Sequence, residues 1–125
     1  MPVLVDSSLW VHQLRKGGDP AKRDRVNALL ENGEAAWCPP VRLELWRGVT
    51  NDVERKTLRR YEALLPSYEI SPDVWDRSMQ LADRGRSAGV TVPLADLLIF
   101  VCAKLNGLDV AHDDHHFNEL AKLEA

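Results

Sequence analysis

Residues 94–105, LADLLIFVCAKL, constrain the fold more than any other stretch of this chain. Leu94, Leu97, Leu98, Val101, Cys102 and Leu105 recur at i, i+3, i+4, i+7, i+8 and i+11, a full helical stripe. Ile99, Phe100 and Ala103 add apolar surface on other sides, so the helix predicted here is central and buried. Asp96 and Lys104 interrupt the run, and it is too short to span a bilayer. With 125 residues to wrap around that helix, the expectation is one ordinary domain with one core, spanning 1–125.

Short β runs alternate with amphipathic helices along the rest of the sequence. VLVD at 3–6 reads as a buried strand, with Ser7 or Ser8 opening a short helix through Leu14. Asp19-Pro20 supplies an N-cap and a first-turn proline for a helix ending at Gly33. AWC at 36–38 is a second strand, and Pro39-Pro40 starts a helix carrying Leu43, Trp46 and Val49. A helix over about 52–65 presents Val53, Leu58, Tyr61, Leu64 and Leu65, and YEI at 68–70 reads as a third strand. Ser71-Pro72 opens a helix packed through Val74, Trp75, Ser78, Leu81 and Ala82, ending near Gly85 or Gly89. After the central helix and Gly107, DVA at 109–111 is the last strand and a short helix closes the chain. Strands separated by helices need crossover connections, which predicts an α/β fold with a mostly parallel sheet and helices on both faces.

In such sheets function gathers at the carboxyl ends of the strands. Asp6 ends the first strand and Asp114 follows the last. Glu44 and Asp96 lie in or near the first turns of helices that begin at prolines. Helix N-termini and strand C-termini share one edge of a parallel sheet, so the four acids can converge on one rim. Each has a plain reading on its own: Asp6 and Asp114 as N-caps, Asp96 as a first-turn charge favoured by the helix dipole, Glu44 as a solvated surface acid. Asp96 is the most telling, because an ionised carboxylate in an apolar helix is costly unless paired or bound to a metal. Carboxylate oxygens are hard ligands suited to Mg²⁺ or Mn²⁺, and two such ions can clamp the attacking water and leaving oxygen of a phosphodiester displacement. Ser7 and Ser8 beside Asp6 could orient a metal-bound water, but neither has an activating base nearby in sequence, which argues against a serine nucleophile.

Composition narrows the field only a little. Sixteen basic against nineteen acidic residues give a net charge of −3, which disfavours nucleic-acid binding by bulk electrostatics but not a carboxylate-built nuclease. Cys38 and Cys102 are too few for a disulfide framework and read as buried thiols. The N-terminus lacks a basic segment ahead of its apolar run, so a cytoplasmic protein is expected. His112, His115 and His116, with Asp113 and Asp114, invite a zinc reading; without an HExxH arrangement or cysteine pairs, polar rim residues around the acidic pocket fit better.

VLVDSSLW, PPVRLELWRGV, PLADLLIFVCAKLNG and LDVAHDDHHF, in that order and spacing, resemble the PIN-domain family. More closely, they resemble the VapC-type toxins of bacterial and archaeal toxin–antitoxin pairs. The resemblance covers essentially the whole chain. It implies an α/β/α sandwich with a short-stranded, mostly parallel central sheet, and a Mg²⁺- or Mn²⁺-dependent endoribonuclease. Its catalytic and metal-binding acids fall on Asp6, Glu44, Asp96 and Asp114, with Ser7, Ser8, His112 and Asp113 as supporting residues. Two departures concern a second metal: His112 where the family often has Thr or Ser, and His116 where it often has a further Asp. Asp113 is a substitute ligand by composition, although the spacing favours Asp114. The resemblance further implies an RNA substrate, a homodimer and a cognate antitoxin, with Trp46, Val49, Arg55, Arg59, Tyr61 and Leu65 as candidate contacts.

Two rivals remain at this stage. A catalytically degenerate PIN-fold scaffold would share every fold signal and lack only the metal-dependent cleavage. A receiver-type signalling domain would need an acidic pair at the first strand, an Asp ending a central strand and a late Lys, none of which is present; YEI runs into Ser71-Pro72.

Overall fold

The computed structural model describes residues 1–124. The elements run β1 (Val3–Val5), α1 (Ser7–Leu14), α2 (Pro20–Glu31), β2 (Ala35–Ala36), α3 (Pro39–Arg47), α4 (Asp52–Leu64), α5 (Pro72–Ser87), α6 (Leu94–Leu105), β3 (Asp109–Ala111) and α7 (His115–Glu124). The sheet is three-stranded in the order β2-β1-β3, and both pairings are parallel. Leu4 opposes Ala36 on one side and Val110 on the other. The backbone of Asp6 extends this ladder by donating to the Ala111 carbonyl at 2.9 Å.

Both faces of the sheet are covered. Leu4 and Val5 point to opposite faces, as successive strand residues must, yet both are fully buried. The same holds for Ala35 and Ala36. Helices therefore sandwich the sheet, as expected of parallel strands. At its heart Trp10 is fully buried, tilted against Trp37 and Tyr61, with its indole N–H donating to the Val5 carbonyl at 2.9 Å. That bond anchors α1 to the strand that precedes it. In α6, Leu97 and the run Ile99–Ala103 are buried together with Asp96, the central helix expected from its composition. Only its ends emerge: Leu94 and Leu105 are exposed.

Local chemistry sets the helix starts. Asp19 caps α2 by accepting from the Lys22 amide at 3.0 Å, and Ser71 caps α5 through Val74 at 3.3 Å. Asn51 caps α4 at the Glu54 amide, and Glu54 reaches back to the Thr50 amide, a reciprocal arrangement that satisfies two donors.

The structure corrects several readings made from periodicity. YEI at 68–70 is not a strand; its neighbourhood makes only a single parallel bridge, Trp37 to Ser67, because the chain leaves Pro66 too briefly extended for a ladder. Helix α3 buries Val41 and Leu45 rather than Leu43, which lies exposed. In α4, Leu58 is buried while Val53 and Leu64 face outward, and in α5 Trp75 and Ala82 are exposed. Of the two ends read for α5, Gly89 is the nearer: the helix runs to Ser87 and Gly85 sits inside it, where a Cβ would lie 2.8 Å from the Val90 carbonyl oxygen of the returning chain. Trp46, Val49, Tyr61 and Leu65 pack against the core, which accounts for them without a partner. Arg55 pairs with Asp52. Cys38 and Cys102 are free and buried, as read. Among the described residues, no helix is long and apolar enough to cross a membrane.

Candidate active site

Asp6 stands where β1 gives way to α1, and its two carboxylate oxygens have different surroundings. Oδ2 caps α1, accepting from the Ser8 amide at 3.1 Å and the Ser8 hydroxyl at 2.6 Å. Oδ1 is buried with no hydrogen-bond partner. The plain reading of Asp6 as a cap is therefore correct for one oxygen and leaves the other unexplained. A buried carboxylate oxygen without a donor is costly unless a cation or water completes it.

Glu44, one turn into α3, and Asp96, in the first turn of α6, bring carboxylates beside Asp6: one oxygen from each of the three lies within 4.8 Å of the others. The Ser7 hydroxyl donates to Glu44 Oε1 at 3.0 Å. Both serines thus orient carboxylates directly. Ser8 does so doubly, because its oxygen also accepts the Asp113 amide at 2.9 Å and ties the β3–α7 turn to α1.

Asp114 does not join this trio directly. It groups instead with His115 and His116, again within 4.8 Å. Its Oδ1 accepts the His116 amide at 3.0 Å, an N-cap for α7, and lies 2.8 Å from His116 Nδ1. The same Nδ1 is 2.9 Å from Asp96 Oδ2, so His116 bridges the two groups. Asp113 points elsewhere and pairs with Lys22 at the surface. His112 accepts the Asp114 amide at 3.2 Å and packs on Phe117, which makes it a brace for the turn. The general reading of the histidines as rim residues does not hold for His116, which the resemblance already singles out as a departure bearing on a second metal. The available signal was its place one residue before Phe117, where the resembled family often carries an acid.

The electrostatics reflect the crowding. Burial pushes Asp6 upward, and the charge of Asp114 adds to that, against the lowering effect of the Ser8 bonds. Burial likewise raises Glu44, opposed by the Ser7 bond. Asp96 is pushed up to about 6, first by burial and then by the charges of Asp6 and Asp114, with the His116 bond only partly offsetting them. For Asp114 burial is outweighed by hydrogen bonds and charge from His116 and His115, which hold it below the usual carboxylate range. His116 is raised: the cost of its burial is exceeded by its attraction to Asp114 and Asp96. The site is thus a concentration of negative charge short of cations. Hard oxygen donors, an orphaned buried oxygen and acids raised by burial and by one another's charge together fit a divalent cation.

A PIN domain matches the chain over residues 3–123. This chain belongs to the PIN-domain family. Among curated relatives of this PIN domain, the VapC ribonuclease Mb1587 of Mycobacterium bovis is 32% identical over 125 residues, covering 97% of this chain and 92% of that protein. Ribonuclease VapC21 of Mycobacterium tuberculosis is 32% identical over 109 residues, covering 83% and 78% respectively. Among solved structures, that of VapBC2 from Rickettsia felis bound to a DNA fragment from their promoter superposes with a TM-score of 0.76 at 18% identity, over 92% of this chain and 89% of that one. At that identity the likeness establishes the shared PIN fold.

A groove of about 660 Å³ adjoins the carboxylates on the α3 side. Pro39, Leu43, Ile70, Trp75, Ala95 and Leu98 line it, with Glu44 and Arg47 at its edge.

Proposed function

We propose that residues 1–125 form a single nuclease domain, a metal-dependent endoribonuclease that serves as the toxin of a toxin–antitoxin pair. The observation that carries this reading is the trio Asp6, Glu44 and Asp96, with the unpartnered Oδ1 of Asp6, in a PIN domain whose relatives at 32% identity are ribonucleases. Asp6, Glu44, Asp96 and Asp114 hold Mg²⁺ or Mn²⁺. Bound divalent cations supply Lewis-acid activation of the attacking water and neutralise charge on the leaving oxygen.

The chain's own groups do the rest. Ser7 fixes the Glu44 carboxylate and Ser8 fixes that of Asp6, so neither has to be reoriented when a cation and a phosphate arrive. Bound cations would also offset the negative charge that these carboxylates present to a phosphodiester. The cytoplasm is the compartment that suits such a substrate. The exposed apolar lining of the α3 groove supports a protein interface beside the site, occupied in the free toxin by a second copy in a homodimer; a cognate antitoxin is the inhibitory partner.

The test is cleavage of total RNA by antitoxin-free protein with Mg²⁺, with Mn²⁺ and with EDTA, beside Asp96→Asn. Metal-dependent cutting lost in both EDTA and the variant is expected. Folded protein that neither cuts RNA nor binds Mn²⁺ in calorimetry would overturn the enzyme and leave a PIN-fold scaffold.

A further inference from the structure

Resting on the metal-dependent reading of this site, we infer that His116 Nδ1 is a direct metal ligand, making the position between Asp96 and Asp114 an oxygen–oxygen–nitrogen site that prefers a first-row transition cation to Mg²⁺.

The geometry carries this. Nδ1 lies 2.9 Å from Asp96 Oδ2 and 2.8 Å from Asp114 Oδ1. Neighbouring donors around an octahedral ion with bonds near 2.1 Å are separated by about 3 Å, so Nδ1 already stands at coordination spacing from one oxygen of each acid. As a purely structural arrangement it is poorly balanced, because one Nδ1–H has a single proton for two carboxylate oxygens. The Asp114 oxygen is moreover already served by the His116 amide at 3.0 Å. An independent observation points to a cation in the adjoining group, which shares Asp96: there buried Asp6 Oδ1 has no donor. The side chain of His116 is only a quarter exposed, held over the two acids by α7 and tilted against the ring of His115 at 4.3 Å.

The choice of donor has a chemical consequence. Mg²⁺ favours oxygen ligands and gives up water reluctantly, whereas imidazole nitrogen suits the later first-row ions. A carboxylate in place of His116 would leave a site built wholly of oxygens. Imidazole instead tilts selectivity toward Mn²⁺ and its neighbours and lowers the negative charge of the site. His115, mostly exposed and 3.7 Å from Asp114, is the competing nitrogen.

Pulsed electron paramagnetic resonance of the whole protein loaded with Mn²⁺ alone reads the ligand directly. The expected result is nitrogen modulation from a coordinated imidazole that changes on ¹⁵N-histidine labelling. The modulation persists in His115→Ala and disappears in His116→Asp, which still binds Mn²⁺ but with an Mn²⁺-over-Mg²⁺ preference reduced about tenfold in calorimetric titration. His116→Asn serves the same comparison if the aspartate variant does not fold. Bound Mn²⁺ without nitrogen modulation, or modulation that survives loss of His116, overturns the inference while leaving a carboxylate metal site standing. Failure to bind Mn²⁺ at all overturns both.

Discussion

The two oxygens of Asp6 show how one side chain serves structure and chemistry together: one caps a helix, and the other waits, buried, for a partner. Asp96 shows the cost of such a site. Its pKa rises from an ordinary 3.8 to about 6, so the folded protein holds a proton that the unfolded chain has released. Stability from this group is therefore greatest at low pH and falls as pH rises from about 4 to about 6. We predict that EDTA-treated protein is less resistant to urea at pH 7 than at pH 5, and that Asp96→Asn removes much of that difference, gaining about 1–2 kcal/mol at pH 7. Added Mn²⁺ restores the wild type and not the variant. Ser8→Ala, which removes one of the two bonds to Asp6 Oδ2 and loosens the Asp113 turn, should weaken Mn²⁺ binding about tenfold in calorimetry with little change in fold.

At the scale of elements, the prolines and caps predicted helix starts well because they act within four residues. Asp19, Asn51 and Ser71 all make their capping bonds. Helix faces were less legible. Leu43 and Val53 fit an apolar pattern yet face solvent, while Val41 and Leu45 go inward, because the packing partner and not the pattern selects the buried face. Strand 68–70 failed for a related reason: a β ladder needs an adjacent strand in register, and only one bridge forms there. Gly85 gives a test in which propensity and packing disagree. Alanine is the better helix former by about 1 kcal/mol, but its Cβ would meet the Val90 carbonyl at 2.8 Å and Leu123 at 3.3 Å. Gly85→Ala should therefore lower stability by about 1–3 kcal/mol in chemical denaturation. An increase would mean that the chain at Val90 gives way freely.

At the scale of the molecule, the exposed apolar residues are not scattered evenly. Leu43 and Trp75 are 69% and 48% exposed, and both line the groove beside Glu44. An interface there would put the subunit contact next to the carboxylates. Leu43→Glu, being at an exposed position, should leave the far-ultraviolet circular dichroism unchanged and shift light-scattering mass from dimer to monomer. An unaltered mass would remove this face as the subunit contact.

What the sequence determined by itself was whatever depends on short range or on order along the chain. The alternation of strand and helix demanded crossovers and hence parallel pairing, and the composition of 94–105 demanded a central helix. The positions of Asp6, Glu44 and Asp96 at strand ends and helix beginnings directed them to one edge. Tertiary structure decided what depends on the last few ångströms. It left Asp6 Oδ1 without a donor, turned Asp113 outward to Lys22, and separated Asp114 from the trio. It also set His116 between the two groups of acids. Such outcomes follow from side-chain orientation and competition among neighbours, which residue spacing does not encode: a sequence can send several acids to the same rim, but only the packed chain determines which oxygens meet.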